Sequence, residues 1–356
     1  MSHFVFLLAL VSSSALVSPL SPSAKMANRH STGVAMKAIQ STLIIQNKGG
    51  GHGEIGYHLA LLLANDRNIK VTILHEGPNK GKPPHDSYGD LTSAGVDVIW
   101  CDSLEDAPTC LAKLGGANFD AVVDNWSKSP EAIRPYAEAA KGWQVANYAF
   151  VSSAGMYTPP KGDFSAIQET CAVKSSGQRQ AEELLSELDL PFSYFRPQYI
   201  YGPKQGKSYL GYFFDRITRD LPVPVPGDGS QSVTFTHAFD NAAMIAAAIG
   251  SEKSIQESFN CATSDLLTYN ELVQLCAGAA GKEAKICNYD PEAVEVTSKE
   301  LGFPFRETPF FVSVDKAKNL LEFSPQYSIK EDIDWYFKDN YSPKDVDLSL
   351  DSKVTS

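Results

Sequence analysis

The sequence predicts an α/β protein with a doubly wound parallel sheet and a smaller C-terminal α/β subdomain. Short apolar segments alternate with helical segments between residues 41 and 196, as expected for a parallel sheet covered by helices on both faces. A cluster of glycines follows the first apolar segment, and prolines break the alternation beyond Arg196. With 356 residues, 43% of them hydrophobic, the chain is long enough to bury a core in both parts.

The first part, 41–196, opens with a strand–helix–strand unit. The apolar run Ser41–Asn47 ends at glycines and predicts a buried strand. A helix at Ile55–Asn65 and a strand at Lys70–His75 follow, so we expect a right-handed crossover. Further strands are predicted at Val96–Cys101, Ala121–Asp124 and Tyr148–Ser152, and further helices at Glu131–Lys141 and Arg179–Leu188.

The second part, 197–341, is predicted to be rich in loops and interleaved with the first. Helices are expected at Tyr269–Ala279, Val314–Leu321 and Lys330–Phe337. Residues 342–356 are polar, and we expect them to fray.

Residues 1–40 form a predicted presequence that does not belong to the fold. An apolar run at 4–17 has the length of a signal sequence, and a Ser- and Ala-rich segment with basic residues and no acidic ones follows it. This combination predicts a bipartite plastid-targeting presequence and a location in the plastid stroma. The alternative is simple secretion, which agrees less well with six cysteines that show no pairing pattern.

A glycine turn at Gly50, Gly53 and Gly56 lies between the first strand and the first helix. Gly50 permits a tight turn, Gly53 lets the backbone approach a pyrophosphate, and Gly56 allows the helix to pack closely on the strand. The helix N-terminus adds unpaired N–H groups and the positive end of a dipole. This context predicts a Rossmann domain that binds a dinucleotide, although a turn retained only for folding is the alternative.

The choice between NAD and NADP stays open in the sequence. An acidic residue about 20 positions after the first glycine binds the ribose in NAD enzymes, and Glu76 lies close to that place with His75 before it. Lys80 and Lys82 follow and would suit a 2′-phosphate. Asp102, after the third strand, is a candidate for contacting the adenine or, equally, for capping a helix.

Several longer motifs resemble the extended short-chain dehydrogenase/reductase family, which includes NAD-dependent epimerases and dehydratases. The resemblance runs from 41 to 340. It implies a catalytic Ser, a Tyr that transfers the proton and a Lys one helical turn later that lowers the tyrosine pKa. The motifs are the glycine turn, VSSAGMY at Val151–Tyr157, FRPQYIYGP at Phe195–Pro203, VPVPGDG at Val223–Gly229 and FTHAFDNA at Phe235–Ala242.

The match to this family fails at two of the three catalytic positions. Ser153 fits the family serine, and Glu182 fits the glutamate that follows the lysine by four residues. Counting back from Glu182 places Gln178 at the lysine and Lys174 at the tyrosine. The sole Tyr-x-x-x-Lys sequence, Tyr157 to Lys161, contains two prolines that prevent a helical turn. We therefore expect Ser153 to be vestigial and ordinary hydride transfer to be absent.

A narrower resemblance points to the chloroplast stem-loop-binding proteins, an atypical branch of that family. It implies a plastid location, binding and stabilisation of plastid transcripts, and an endonuclease activity that depends on a metal, for which we expect magnesium. Sequence spacing shows no cluster of metal ligands, so no nucleolytic residue is predicted. The resemblance rests on SSAGMY, FRPQYIYGP, YFFDRITRD at Tyr212–Asp220, NYDP at Asn288–Pro291 and FPFR at Phe303–Arg306.

Basic residues near aromatic ones are the physical basis for RNA binding, because cations meet phosphates and rings stack on bases. The segment 204–219 has this composition, but its aromatic side chains would also suit a buried helix face. The net charge of −11 opposes tight binding unless patches are concentrated or an oligomer presents them together. The candidate RNA contacts are Lys174, Arg179, Lys204, Lys207, Arg216 and Arg219.

Three functional hypotheses therefore stay open at this point. The first is a plastid RNA-binding protein, as a homo-oligomer or in complex with a paralogue. The second is an NAD(P)-dependent nucleotide-sugar epimerase, dehydratase or reductase, which the glycine turn and Ser153 favour. The third is a non-catalytic scaffold that senses a dinucleotide. We expect no membrane anchoring from any of them.

Overall fold

The structure is a computed structural model that describes residues 38–47, 52–160, 162–343 and 347–355. The predicted presequence up to residue 37 and Gly50 of the glycine turn lie outside the described residues.

A single seven-stranded parallel sheet organises the first part of the chain. In the described residues its strand order is β11-β6-β5-β4-β1-β2-β3, which contains the 3-2-1-4-5-6 order of a Rossmann fold. The predicted doubly wound α/β fold is thus confirmed. The strands are β1 (Ser41–Gln46), β2 (Lys70–Glu76), β3 (Asp97–Cys101), β4 (Ala121–Asn125), β5 (Asn147–Val151), β6 (Phe192–Pro197) and β11 (Glu257–Cys261).

Helices cover both faces of this sheet, because its strands are apolar on both sides. The helices of one face are α1 (Ile55–Arg67), α2 (Gly89–Ser93), α7 (Ala238–Ala248) and α9 (Asp315–Leu321). Those of the other face are α3 (Ala107–Ala112), α4 (Pro130–Trp143) and α5 (Gly177–Glu187).

The second part of the chain packs around a separate, aromatic-rich core. Its strand β11 joins the main sheet beside β6, so the two parts share a sheet. The remaining strands are β7 (Tyr199–Tyr201), β8 (Pro222–Pro226), β9 (Ser232–Val233), β10 (Phe235–His237), β12 (Leu267–Thr268) and β13 (Lys285–Tyr289). The remaining helices are α6 (Gly211–Ile217), α8 (Tyr269–Ala279), α10 (Ile329–Trp335) and α11 (Ser352–Thr355).

The C-terminal tail does not fray over the residues described, so that expectation is wrong for 347–355. Val354 is buried in the aromatic-rich core, and Asp351 accepts hydrogen bonds from the buried guanidinium of Arg216 at 2.7 and 2.6 Å. A buried cation needs a partner, and this tail provides it.

Candidate functional site

The glycine turn has the backbone geometry that its sequence predicts at the two glycines described. Gly53 has a φ of +73°, which a residue with a side chain rarely adopts. At Gly56 a Cβ atom would collide with the Gln46 side chain and come within 2.7 Å of Ile44 on β1. The Gly56 N–H instead donates to Gln46 Oε1 at 3.0 Å. Helix α1 therefore packs directly on β1, as the turn requires.

Amide side chains that sequence reasoning did not single out hold this turn in place. The carbonyl of Gly53 accepts hydrogen bonds from Asn47 Nδ2 at 3.1 Å and Asn125 Nδ2 at 3.0 Å. Gln46 Nε2 donates to the same oxygen at 3.3 Å. Gln46 and Asn125 are the last residues of the neighbouring strands β1 and β4, and Asn47 directly follows β1. Their position at the ends of neighbouring strands is the one feature of the sequence that could have identified these amides.

The segment 203–206, here named the covering segment, lies against the turn. A Cβ on Gly53 would collide with the Lys204 carbonyl and lie 2.5 Å from the Gly206 nitrogen. The Glu54 N–H donates to Lys204 O at 2.9 Å, and His58 Nε2 lies 2.9 Å from Pro203 O. The covering segment thus accepts the hydrogen bond of the Glu54 N–H group and lies against Gly53. In a dinucleotide-binding turn, a pyrophosphate would use both the N–H group and this space.

Lys204 closes the covering segment onto the loop before α2. Its ammonium donates to the Pro84 carbonyl and lies 3.5 Å from Asp86 Oδ1. The same ammonium stands 4.5 Å from the centre of the Tyr57 ring and 5.7 Å from that of Tyr88. Lys204, a candidate RNA contact, is used inside the fold, and its side chain is only 11% exposed.

The residues predicted to contact adenosine, Glu76 and Asp102, lie at the end of β2 and directly after β3, and their role stays a prediction. Glu76 accepts a hydrogen bond from Trp126 Nε1 at 3.1 Å, and His75 before it is fully buried. Asp102 is exposed and caps no helix, because Asp106 caps α3 by accepting from Thr109 N at 3.4 Å. The helix-cap alternative for Asp102 is therefore wrong.

A buried polar cluster fills the corner between the glycine turn and the end of β2. It consists of Glu54, His75, His85 and Tyr88, and we call it the buried cluster. The Tyr88 hydroxyl donates to Glu54 Oε2 at 2.6 Å and lies 2.9 Å from His75 Nε2. Burial raises the pKa of Tyr88 and lowers that of His85.

The covering segment and the buried cluster lie against the described part of the glycine turn. The Glu54 carboxylate lies at the helix N-terminus that a pyrophosphate would use, and its negative charge repels another anion. His75, near the end of β2, is fully buried. Among the described residues, Glu54 is therefore unfavourable to a pyrophosphate, and binding of NAD or NADP stays a prediction.

The second candidate centre is Ser153, which directly follows the end of β5. Its side chain is half-buried, and its Oγ accepts a hydrogen bond from Gly155 N at 3.1 Å. Tyr157 is unsuited to proton transfer there, because its hydroxyl donates to Asn260 Oδ1 at 2.8 Å and accepts from Arg196 Nη1 at 2.9 Å. Burial also raises the Tyr157 pKa.

Helix α5 and the segment before it carry the positions that sequence spacing predicts for the rest of the catalytic set. Gln178 lies in its first turn, and Glu182 one turn later is buried and bonded to Arg196 at 2.7 and 3.0 Å. Lys174 precedes the helix, is exposed, and donates its backbone N–H to Met156 O at 2.8 Å. That bond places the Lys174 backbone beside the turn that follows Ser153.

Comparison with known proteins decides the family. A profile of the NAD dependent epimerase/dehydratase family matches residues 49–262. The chloroplast stem-loop binding protein of 41 kDa b from Arabidopsis thaliana is 30% identical over 319 residues, which cover 86% of this chain and 83% of that protein. The chain belongs to the NAD dependent epimerase/dehydratase family. Its resemblance to the chloroplast stem-loop-binding proteins is confirmed as well.

Other relatives agree with this assignment. An uncharacterized UDP-glucose epimerase of Bacillus subtilis is 23% identical, over 80% of this chain and 94% of that protein. The solved UDP-glucuronic acid 4-epimerase of Bacillus cereus, in complex with NAD, superposes with a TM-score of 0.65 at 19% identity. That match covers 85% of this chain and 100% of the other, and at this identity it shows the fold alone.

One of the candidate RNA contacts of this epimerase/dehydratase family member is not available for binding. Arg216 is only 2% exposed and is bonded to Asp351, so its place among the candidates is corrected. Its neighbours Tyr212, Phe213 and Phe214 are buried, so segment 204–219 is largely a core helix. Lys207 and Arg219 are exposed, and Arg179 pairs with Glu183 at 2.9 Å.

Two further residues near Ser153 were not found from the sequence. Phe164 is 73% exposed on the loop between Tyr157 and Val173, which pair as a β-bridge. Arg306 Nη2 donates to the Gly155 carbonyl at 3.3 Å. Nothing in the local pattern distinguishes a surface Phe from a core Phe, and Arg306 reaches Gly155 only through the tertiary fold.

The described part of this family member contains no helix with the length and apolar character to cross a bilayer. Its six cysteines are all free.

Proposed function

We propose that this protein binds structured RNA in the plastid, on an epimerase-type scaffold that no longer carries the family's proton-transfer pair. The observation that carries the proposal is the surface beside Ser153. It includes the exposed Lys174 and, on the loop that the Tyr157–Val173 bridge closes, the exposed ring of Phe164.

The contacts around Ser153 define this surface. Lys174 follows Val173, whose bridge to Tyr157 closes the loop that carries Phe164. Arg306 approaches the same turn from the second part of the chain through its bond to Gly155. Cations attract the phosphates of an RNA loop, and an exposed ring accepts an unpaired base by stacking.

The location of the surface also supports binding of a large ligand. It lies at the carboxyl ends of the parallel strands, since Ser153 follows β5, and this edge is where ligands bind in α/β sheets. In the glycine-turn corner of the same edge, the described residues pack against the protein's own side chains, whereas Lys174 near Ser153 is exposed.

The relative from Arabidopsis thaliana supports the proposal, because its name describes stem-loop binding in the chloroplast. We extend both properties to this protein and predict that residues 1–40 direct it to the plastid stroma. A fluorescent protein fused behind these residues would accumulate in the plastid. Secretion of the fusion would contradict the prediction.

Binding of a stem-loop RNA by the Phe164→Ala variant tests the proposed function. Stacking on one aromatic side chain contributes about 1–3 kcal/mol per base, so we expect at least a several-fold loss of affinity. The matched control is Leu266→Ala, an exposed apolar side chain next to Asp265, whose charge repels phosphate. Equal affinities for wild type and both variants, measured by filter binding, would remove the proposed surface.

Catalysis as an NAD(P)-dependent epimerase, dehydratase or reductase is the second candidate function. The family membership and the half-buried Ser153 favour it. Turnover of a nucleotide sugar with added NAD or NADP, abolished by Ser153→Ala, would establish it above RNA binding. A homo-oligomer or a complex with a paralogue stays a prediction, which light scattering on the purified protein tests. Metal-dependent endonuclease activity likewise stays a prediction.

A further inference from the structure

The buried cluster contains the ligand set of a metal centre. One ligand atom each from Glu54, His75 and His85 lies within 4.8 Å of the other two. Glu54 Oε1 is 3.3 Å from His75 Nε2 and 3.3 Å from His85 Nε2. All three side chains are almost fully buried, at 0%, 0% and 4% exposure. Water therefore cannot stabilise the carboxylate charge, and a buried charge needs a partner inside the protein.

The position of the hydrogen on the His75 ring is a further reason why the Glu54 carboxylate needs a cation beside it. His75 Nδ1 lies 2.8 Å from the carbonyl oxygen of Glu76. A carbonyl only accepts, so the Nδ1 atom carries the hydrogen and donates it. In the neutral ring, Nε2 then presents a lone pair toward Glu54 Oε1 and toward the Tyr88 hydroxyl at 2.9 Å, whose hydrogen is donated to Glu54 Oε2. Two lone pairs facing each other at 3.3 Å repel unless a proton or a cation lies between them.

His85 supplies the second, independent observation. Both of its ring nitrogens are buried without a hydrogen-bond partner among the described residues. A buried polar atom without a partner destabilises the fold. The His85 Nε2 atom lies 3.3 Å from Glu54 Oε1, the same carboxylate oxygen that His75 Nε2 approaches.

We propose that Glu54, His75 and His85 bind a divalent transition metal ion of the zinc class. Two imidazoles and a carboxylate are a zinc ligand set, whereas magnesium and calcium prefer oxygen ligands alone. Ligands at about 2.0–2.2 Å from a tetrahedral zinc ion stand about 3.3–3.5 Å apart, which matches the two N···O separations. The Tyr88 hydroxyl contacts two of the three ligands, His75 Nε2 and Glu54 Oε2.

The surroundings fit a structural rather than an open site. The bond from His75 Nδ1 to the Glu76 carbonyl orients the ring in the manner common among metal-binding histidines, and Tyr88 holds the other carboxylate oxygen. The Trp100 ring lies 4.4 Å from that of His75 and 5.1 Å from that of His85, which screens the site from water. Metal binding would fix His85 and its loop against the glycine turn.

Zinc titration of the purified full-length protein, after treatment with a chelator, tests the proposal. We expect one saturable zinc site per chain with a rise in Tm, and no such response to magnesium. Cobalt(II) in place of zinc should give the visible spectrum of a tetrahedral nitrogen–oxygen site without a thiolate charge-transfer band. A thiolate band would assign the metal to cysteines and overturn the proposal, as would the absence of a saturable site.

Substitutions locate the metal. Glu54→Gln and His85→Gln should each weaken zinc binding by more than the about 10- to 100-fold loss that removal of a second-shell partner causes. The matched control is His58→Gln, a buried histidine whose Nε2 contacts the Pro203 carbonyl outside the cluster. Circular dichroism verifies folding, and the wild-type titration decides the outcome if a variant does not fold. Unchanged zinc affinity in both folded cluster variants would overturn the assignment. So would nitrogen NMR that shows a His75 imidazolium unaffected by zinc.

Discussion

The glycine turn and the surroundings of Ser153 lie at the same edge of the sheet but differ in what covers them. At the glycine turn, the protein's own groups occupy the site: the covering segment lies on Gly53, and the buried cluster fills the corner beside β2. Near Ser153, Lys174 is exposed, and so is Phe164 on the loop between Tyr157 and Val173. We call these regions the closed half and the open half.

The difference teaches that the glycines of such a turn have a packing role that does not depend on what the neighbouring side chains bind. The turn glycines remain because α1 must still pack on β1, which Gly56 alone allows. The side chains around the turn then decide whether an anion or a cation is stabilised there. Glu54, at the N-terminus of α1, favours a cation.

The largest expected effect comes from the ion pair that supports the open half. Arg196 is bonded to Glu182 and Tyr157, and its side chain is only 4% exposed. Arg196→Met would leave the Glu182 carboxylate buried without its main partner, so we expect a loss of about 3–5 kcal/mol in the free energy of unfolding. Urea denaturation measures this loss.

The matched control for that prediction is an exposed pair of the same type. Arg134 and Glu138 on α4 lie 3.7 Å apart, with side chains 51% and 58% exposed. Arg134→Met should cost less than about 1 kcal/mol, because water already screens the pair. Similar losses in the two variants would mean that the open half does not depend on a buried network.

The closed half is tested by adding one methyl group. Gly53→Ala would both strain a backbone with φ +73° and push against the covering segment. Gly77→Ala has a comparable φ of +79° but open space around the new atom. We expect about 1–2 kcal/mol of destabilisation in each from the backbone, and about 1–3 kcal/mol more in Gly53→Ala from the collision.

Urea denaturation of the two alanine variants isolates the collision as the difference between them. If both lose the same stability, the covering segment moves aside at no cost. The glycine turn would then be accessible, and the contrast between the closed and the open half would disappear.

The sheet could be predicted from the sequence because its strands are continuous apolar runs bounded by turns. Segments such as Ser41–Gln46 and Lys70–Glu76 carry that signal locally. Helix α7 at Ala238–Ala248 escaped prediction because it is apolar on nearly every side and shows no helical periodicity. It packs beside α1 and against β6 and β11, where few of its positions need a polar side chain.

The closed half could be predicted only in part. The glycine turn is a local motif, but Glu54, His75 and His85 are 21 and 10 positions apart and meet only through the strand–helix–strand topology. Arg216 was misassigned for the converse reason. Its basic charge suggested a surface, whereas its partner Asp351 lies 135 positions away in the chain.

The smallest expected effect comes from a comparison of one lysine in the open half with one lysine in the closed half. Lys174→Gln in the open half should reduce the dependence of stem-loop RNA binding on salt, by about 0.7–1 in the slope of log K against log salt. Lys204→Gln in the closed half should leave that slope unchanged and lower the stability instead, because Lys204 bonds the Pro84 carbonyl.

A lysine at the opposite edge of the sheet provides the control for that salt series. Lys253 is exposed in the turn Glu252–Ser254 that precedes β11, at the amino ends of the strands, whereas Ser153 follows the carboxyl end of β5. Lys253→Gln should therefore change neither slope nor stability. If it lowers the slope as much as Lys174→Gln does, RNA responds to the overall charge, and the open half has no special role. A change in slope confined to Lys174 would instead place the phosphates at the carboxyl edge, beside the ring of Phe164.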